Sequence, residues 1–299
     1  MSRERSPGTH RLYGVERTAR VFGVPRSTAY AAWKRAGGES LPARPGPKPA
    51  LDDDSLVALI REDLATSIFT GEGHRKVWAR LKYGKGLRVS RHRVLRLMRE
   101  NNLLAPCRPG RPRRRKHDGT LVTEAPNLMW CGDGTKFYTL EEGWCWLFTT
   151  LDHFNSEVLG FHVCKTGDRF AAAEPVRLAV KREFGAFTQG IAHGLTYRMD
   201  NGSQYTADHF KGELDFLGIT ASYSFVGSPE CNGIAERFFR TLKEQVIYCR
   251  QFRNLEEARE AIARFVWDYN HHWRLERLGY KTPTEARERF YSAKMPLAA

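Results

Sequence analysis

Cysteine is scarce and unpatterned in this 299-residue chain: Cys107, Cys131, Cys145, Cys164, Cys231 and Cys249 include no Cys-x-x-Cys pair. That spacing suggests neither a disulfide framework nor a zinc knuckle. The adjacent His271 and His272 do not substitute for one, because neighbouring side chains on a helix point apart, and they read as helix-surface histidines. Long apolar runs are also missing. No stretch of about 18 apolar residues occurs, which excludes a membrane-spanning helix. The opening Met-Ser-Arg-Glu-Arg-Ser-Pro-Gly lacks the apolar centre of a signal peptide, so the expected setting is the cytosol. The third shortage is of acid, and it is local. Residues 1–118 carry 27 Lys and Arg against 11 Asp and Glu, a balance of +16, whereas residues 119–299 carry 21 against 23, a balance of −2. A basic front half on a near-neutral back half points to a nucleic-acid-binding portion joined to something else.

What is present is a folded protein of several parts, since 41% of residues are hydrophobic and 12% aromatic. Residues 1–40 hold a small helix-turn-helix pattern: Val15, Ala19 and Phe22 form a stripe, Gly23-Val24-Pro25 a turn, and Tyr30 and Trp33 anchor a second helix. A generic helical hairpin fits the same residues. Residues 41–53, with Pro42, Pro45, Pro47 and Pro49, read as a stiff linker. Residues 54–104 form a second helical unit, with Leu56, Leu59, Ile60 and Leu64 on one helix and Val77 and Leu81 on the next. Its last helix is capped by Ser90 and turns Val94, Leu97 and Met98 inward. That helix presents Arg91, Arg93, Arg96 and Arg99, as a DNA-recognition helix does. Residues 105–123 are a basic linker whose Arg108, Arg111, Arg113, Arg114, Arg115 and Lys116 have no apolar periodicity; they suit phosphate attraction with counterion release.

From about residue 124 the pattern changes. Strand-like runs at 127–139, 144–152 and 157–164 precede a helix over 169–184. A strand at 195–199, a helix at 206–217, a strand at 219–226 and a helix around 232–243 follow. Three carboxylates stand out in these contexts. Asp133 lies in the first strand, Asp200 ends the fourth and opens the turn Asp-Asn-Gly-Ser, and Glu236 lies where Ile234, Phe238, Phe239 and Leu242 recur at helical spacing. Thirty-five residues separate Asp200 from Glu236, but with 34 acidic residues in the chain the spacing alone decides nothing. Two strand-end aspartates facing a helical glutamate suit hard divalent cations, which take oxygen ligands. On that helix Arg240 and Lys243 fall four and seven positions past Glu236, on its face, where they would hold phosphates. Asp152 and Asp168 read as structural or surface groups. Residues 251–299 read as a helical extension, with Leu255, Ala258, Ile262, Phe265, Val266 and Tyr269 on one amphipathic helix. A capping box, Thr282-Pro283-Thr284-Glu285, opens the last helix.

The order β-β-β-α-β-α-β-α resembles the ribonuclease-H-like α/β fold, a mixed five-stranded sheet flanked by helices, here preceded by all-α helix-turn-helix domains. In that fold the first and fourth strands are adjacent, which would bring Asp133 and Asp200 together. More closely, the chain resembles the transposases of the bacterial insertion-sequence family numbered three, whose catalytic core is of the retroviral-integrase type. The resemblance rests on Trp-Cys-Gly-Asp-Gly-Thr (130–135), Met-Asp-Asn-Gly-Ser-Gln-Tyr (199–205), Asn-Gly-Ile-Ala-Glu-Arg-Phe-Phe-Arg-Thr-Leu-Lys (232–243) and Tyr-Asn…Leu-Gly-Tyr-Lys-Thr-Pro (269–283). Residues 73–101 are similar to the helical domain ahead of that core. It implies Asp133, Asp200 and Glu236 as the catalytic acids holding two Mg²⁺ ions, with Mn²⁺ as a substitute, in a core over 124–250. It also implies double-stranded DNA, both element ends and target, as substrate. The remaining implications are a homo-oligomer on DNA, a small helix-turn-helix partner protein encoded upstream, and a bacterial cytoplasmic setting on DNA. The chain departs from the pattern at Leu275, where many relatives have His, and at Gly134, which is expected to loosen the first strand. Two rival readings are a nuclease acting on RNA–DNA hybrids and a catalytically silent DNA-binding regulator.

Overall fold

The computed structural model describes residues 4–36, 50–106, 121–223 and 233–294. The chain divides into two compact units, Met1–Asp52 and Asp53–Ala299.

In the first unit, α1 (Gly14–Val21) and α2 (Arg26–Ala36) flank a turn in which Gly23 takes φ +64°, a backbone that side chains resist. Ala19 is buried, but Phe22, Tyr30 and Trp33 are 59%, 39% and 42% exposed. Tyr30 and Trp33 therefore do not anchor a core as expected. Set three residues apart on one helix face, their rings meet each other edge-on at 6.2 Å.

The second unit begins with α3 (Asp53–Thr66), α4 (His74–Ala79), a wide π turn over Arg80–Gly84, and α5 (Arg91–Glu100). Ser90 caps α5, its Oγ accepting the Arg93 amide at 3.2 Å, and Val94, Leu97 and Met98 are buried as expected. Arg80 joins two buried carboxylates, donating to Asp63 at 2.7 Å and to Glu72. Removing Arg80 would leave both acids buried and unpaired, a loss of about 3–5 kcal/mol for such pairs.

The sheet that follows comprises β1 (Met129–Thr139), β2 (Gly143–Asp152), β3 (Val158–Cys164), β4 (Thr196–Met199) and β5 (Thr220–Tyr223). Its order is β3-β2-β1-β4-β5. The β1–β2 and β2–β3 pairs are antiparallel; β1–β4 and β4–β5 are parallel. One face packs on α6 (Arg169–Phe184) and α8 (Asp208–Leu217), burying Trp130, Phe148, Tyr197, Val176 and Phe210. The other packs on α9 (Gly233–Leu242) and α10 (Leu255–His272), burying Phe137, Leu147, Phe238, Ile262 and Phe265. The helix expected over 206–217 is two helices, α7 (Ser203–Thr206) and α8, because Ala207 between them is extended at ψ 140°. Asp168 caps α6, accepting the Ala171 amide at 2.9 Å. The capping box is reciprocal at the start of α11 (Pro283–Lys294): Glu285 N donates to Thr282 Oγ1 at 3.2 Å and Thr282 N to Glu285 Oε2 at 3.0 Å.

Two long-range ties hold the unit together. Phe69, from the α3–α4 loop, enters the sheet-side core against Trp273 (4.7 Å between ring centroids), and Gln245 pairs with the Thr70 backbone through two 2.9 Å bonds. On the far side, Arg287 of α11 pairs with the fully buried Asp152 at 2.9 Å and with Glu157 at 2.6 Å.

Gly134 does not loosen β1. It pairs directly with Phe148, whose ring would lie 2.5 Å from a Cβ at that position. Gly132 is closed in the same way by Tyr197, whose Oη would lie 1.9 Å from an added Cβ. The two glycines let aromatic rings cross one face of the strand, leaving the other face to Asp133. Gly132→Ala and Gly134→Ala are each expected to lower stability by about 1–3 kcal/mol, the usual cost of overpacking. Urea unfolding with an unchanged midpoint would contradict this packing.

Candidate active site

The parallel register of β1 and β4 sets two of the three carboxylates. Its last pairs are Trp130 with Tyr197 and Cys131 with Arg198. Counting two residues on along each strand reaches Asp133 and Asp200, at the same level on neighbouring strands. Side chains alternate along a strand, so Asp133 shares its face with Cys131 and Phe137, both in the core under α9. Glu236 lies in the first turn of α9. Its helix turns Ala235, Phe238, Phe239 and Leu242 inward and leaves Glu236 and Arg240 exposed, the phase expected from the sequence.

Asp133, Glu236, Arg240 and Lys243 line a common cleft of about 450 Å³. Asp133 Oδ1 accepts the Gly134 amide at 2.7 Å, and Asp200 Oδ1 accepts the Gly202 amide at 2.9 Å in its own turn. Burial pushes the Asp133 carboxyl up to about 7; the Gly134 amide opposes this, while the Asp200 and Glu236 charges add to it and Lys243 offsets part. Among the described residues no three His, Cys, Asp or Glu side chains converge as a ready metal site. The donor chemistry nevertheless fits a hard cation: the candidate donors are carboxylate oxygens, whose mutual repulsion a divalent charge would relieve. Asp200 is exposed and is not among the residues lining the cleft.

Tyr248 was not marked by sequence reasoning, yet it is 73% exposed at this cleft. α9 runs into a π turn over Lys243–Ile247, so the Tyr248 amide bonds the Lys243 carbonyl at 2.8 Å. That wider turn brings residue 248, rather than 247, over Lys243; no spacing rule for an α-helix finds it. Glu244 also joins the cleft, accepting from Arg240 Nε at 3.1 Å.

The proposed DNA-contact arginines fare differently. Arg93 donates to Asp53 at 2.6 and 2.8 Å, and Arg96 to Asp53 at 2.6 Å and Glu100 at 2.9 Å. Both hold the Asp53 carboxyl below its usual range, Arg96 more strongly. Arg91 approaches Glu276 at 3.7 Å. Arg108, Arg111, Arg113, Arg114, Arg115 and Lys116 lie outside the described residues. His271 is an exposed helix residue bonded to the Trp267 carbonyl, as expected of a surface histidine.

Residues 123–229 and 217–283 match two models of an integrase core domain, and residues 53–111 match an HTH-like domain. The chain is 29% identical over 281 residues to the transposase InsD for insertion element IS2D of Escherichia coli (strain K12), covering 92% of this chain and 91% of that protein. It is also 29% identical to an Escherichia coli 48.2 kDa uncharacterized protein of insertion element IS2A, covering 94% of this chain but 66% of that one. A simian T-cell lymphotropic virus intasome in complex with PP2A regulatory subunit B56 gamma matches 81% of this chain and 76% of its own, at 17% identity and a TM-score of 0.47. So distant a likeness adds nothing to the strand order above. The chain is thus similar to insertion-element transposases over most of its length, with an integrase core domain matched over residues 123–283 and an HTH-like domain ahead of it. Among its described residues no helix is long and apolar enough to cross a membrane.

Without divalent cation, folded Asp133 keeps a proton from its ordinary 3.8 up to about 7, where the unfolded chain has already lost it. The stability owed to this group therefore falls as pH rises through that window and is level above it. Asp133→Asn has no charge to bury, so urea midpoints measured in EDTA from about pH 4 to about pH 8 should decline less for it than for the native chain. Identical slopes would contradict the burial of this charge.

Proposed function

We propose that this chain cleaves the ends of a mobile DNA element and joins them to target DNA by phosphoryl transfer, with Asp133, Asp200 and Glu236 as the catalytic acids. The observation carrying this reading is the register that sets Asp133 level with Asp200, on the strand face covered by the Glu236 helix. Asp133, Asp200 and Glu236 would hold two Mg²⁺ ions, or Mn²⁺ in their place; bound there, such a pair activates water or a 3′-hydroxyl and stabilises the leaving 3′-oxygen. The chain's own residues position the substrate. Lys243 and Arg240 hold phosphates at the cleft, and Tyr248 supplies an exposed ring at its lip. Charge held in place before reaction acts on the transition state without reorganisation, which is why such contacts count more toward rate than toward affinity.

Duplex binding falls to the basic front half. Arg91, Arg93 and Arg96 would have to exchange carboxylates for phosphates, so the larger share of affinity is assigned to Arg108, Arg111, Arg113, Arg114, Arg115 and Lys116. Joining two element ends requires at least a dimer on DNA. A small helix-turn-helix protein encoded upstream is the expected partner, in the bacterial cytoplasm.

Asp133→Asn, Asp200→Asn and Glu236→Gln should each abolish cleavage and joining of labelled element ends in Mg²⁺ while leaving duplex binding in place. Substantial cleavage by any one of them removes that residue from the site. Arg240→Ala combined with Lys243→Ala should slow joining by about 10²–10³-fold, equivalent to about 2–4 kcal/mol. A normal strand-transfer rate would show that these cations face solvent during the reaction.

A further inference from the structure

A second cleft, of about 340 Å³, lies where the π turn after α4 meets the C-terminal stretch. None of its lining residues belongs to the carboxylate cleft. Its floor is aromatic: Tyr83 stacks on Tyr280 at 6.4 Å and 22°, and Trp78 meets both rings edge-on at 5.9 and 5.2 Å. Tyr83 remains 48% exposed. Cations stand around this floor. Lys82 Nζ lies 5.0 Å over the Trp78 and Tyr83 rings, Lys281 Nζ bonds only the Leu278 carbonyl at 3.3 Å, and Arg289 is exposed at the rim.

The charge here is not neutralised from within. The lining carboxylate, Glu285, already pairs with Arg274 at 3.1 Å and caps α11. Among the described residues Lys82, Lys281 and Arg289 form no ion pair, in contrast to Arg93 and Arg96 of α5. Exposed cations gain little from a single small anion in water. Against a polyanion they gain by releasing condensed counterions, and a tyrosine hydroxyl can donate to a phosphate oxygen beside them.

We propose that this cleft binds the sugar-phosphate backbone of duplex DNA, with Lys82, Lys281 and Arg289 against phosphates and the Tyr83 hydroxyl donating to one. The proposal rests on the DNA-processing reading above and adds a contact surface outside both α5 and the catalytic cleft. Beside the basic segment Arg108–Lys116, it gives duplex contacts to cations left free rather than to the ion-paired arginines of α5.

The test is fluorescence anisotropy of the full chain with a labelled duplex in EDTA, across a range of salt. Lys281→Ala with Arg289→Ala should weaken binding by about 5–20-fold near 0.1 M salt and reduce the steepness of log K against log salt by about 1–2. Tyr83→Phe should weaken binding by about two- to fivefold without changing that slope. Arg169→Ala with Lys181→Ala removes equal charge from α6 and controls for net charge. Should the first pair disturb folding, shown by its unfolding midpoint, Lys82→Ala with Arg289→Ala changes only exposed side chains and reads the same effect. Cleft variants that match the native chain, or the α6 control, would overturn the proposal. So would an effect confined to single-stranded DNA. A native chain that binds no duplex at all would instead overturn the functional reading on which the proposal stands.

Discussion

Three backbone pairings, Met129 with Thr196, Trp130 with Tyr197 and Cys131 with Arg198, fix how Asp133 and Asp200 stand relative to each other. Because side chains alternate along a strand, a slip of one residue would send Asp133 to the opposite face, under α6 rather than α9. The glycines on either side of Asp133 protect that register. Tyr197 and Phe148 lie across them on the far face, and Tyr197 is tied to Thr150 by a buried 2.9 Å bond. The same packing that excludes a side chain at 132 and 134 keeps the Asp133 carboxylate on the face under α9. Burying Asp133 opposes its ionisation in the absence of a cation, and the charges of Asp200 and Glu236 add to the effect.

The third acid depends on parts of the chain far away in sequence. Glu236 sits on α9, and the π turn that follows carries Gln245, whose amide is paired with the Thr70 backbone. Phe69 beside it is packed against Trp273 and Phe265. The helical unit ahead of the sheet and the extension behind it thus meet beside the glutamate's helix. On the opposite edge, Arg287 draws α11 onto Asp152 and Glu157. Buried pairs of this kind add little net stability over an apolar core, but losing one partner is severe, which makes α11 a specific fit rather than a loose appendage.

Much of this is legible in the sequence where the signal is local. The Ser90 cap, the Thr282–Glu285 box, the amphipathic helices and the succession of strands and helices follow from short-range spacing, whereas the place of β4 beside β1 follows from the resemblance to the ribonuclease-H-like fold. Asp133, Asp200 and Glu236 stand out because the first lies in a strand, the second follows one and the third lies at helical spacing, although Asp133 falls near the middle of β1 rather than at its end. What is not legible depends on partners distant in the chain. Nothing near Arg93 or Arg96 announces that Asp53 would claim both, and nothing near Phe69 marks it for a core built mainly from residues after 131. Gly134 reads as a weak point until the ring of Phe148 is seen across it. Tyr30 and Trp33 read as core anchors because spacing shows that they share a face, not whether anything covers it. Tyr248 escapes notice because a single wide turn shifts the helical phase by one.

The central claim is that Asp133, Asp200 and Glu236 form one metal-binding constellation. Its most direct test is the anomalous diffraction of crystals of the full chain grown or soaked in Mn²⁺. A peak is expected in the cleft within about 2–2.5 Å of carboxylate oxygens from Asp133 and Asp200, with Glu236 completing the set. Peaks only elsewhere, with the three carboxylates still apart at saturating Mn²⁺, would contradict it.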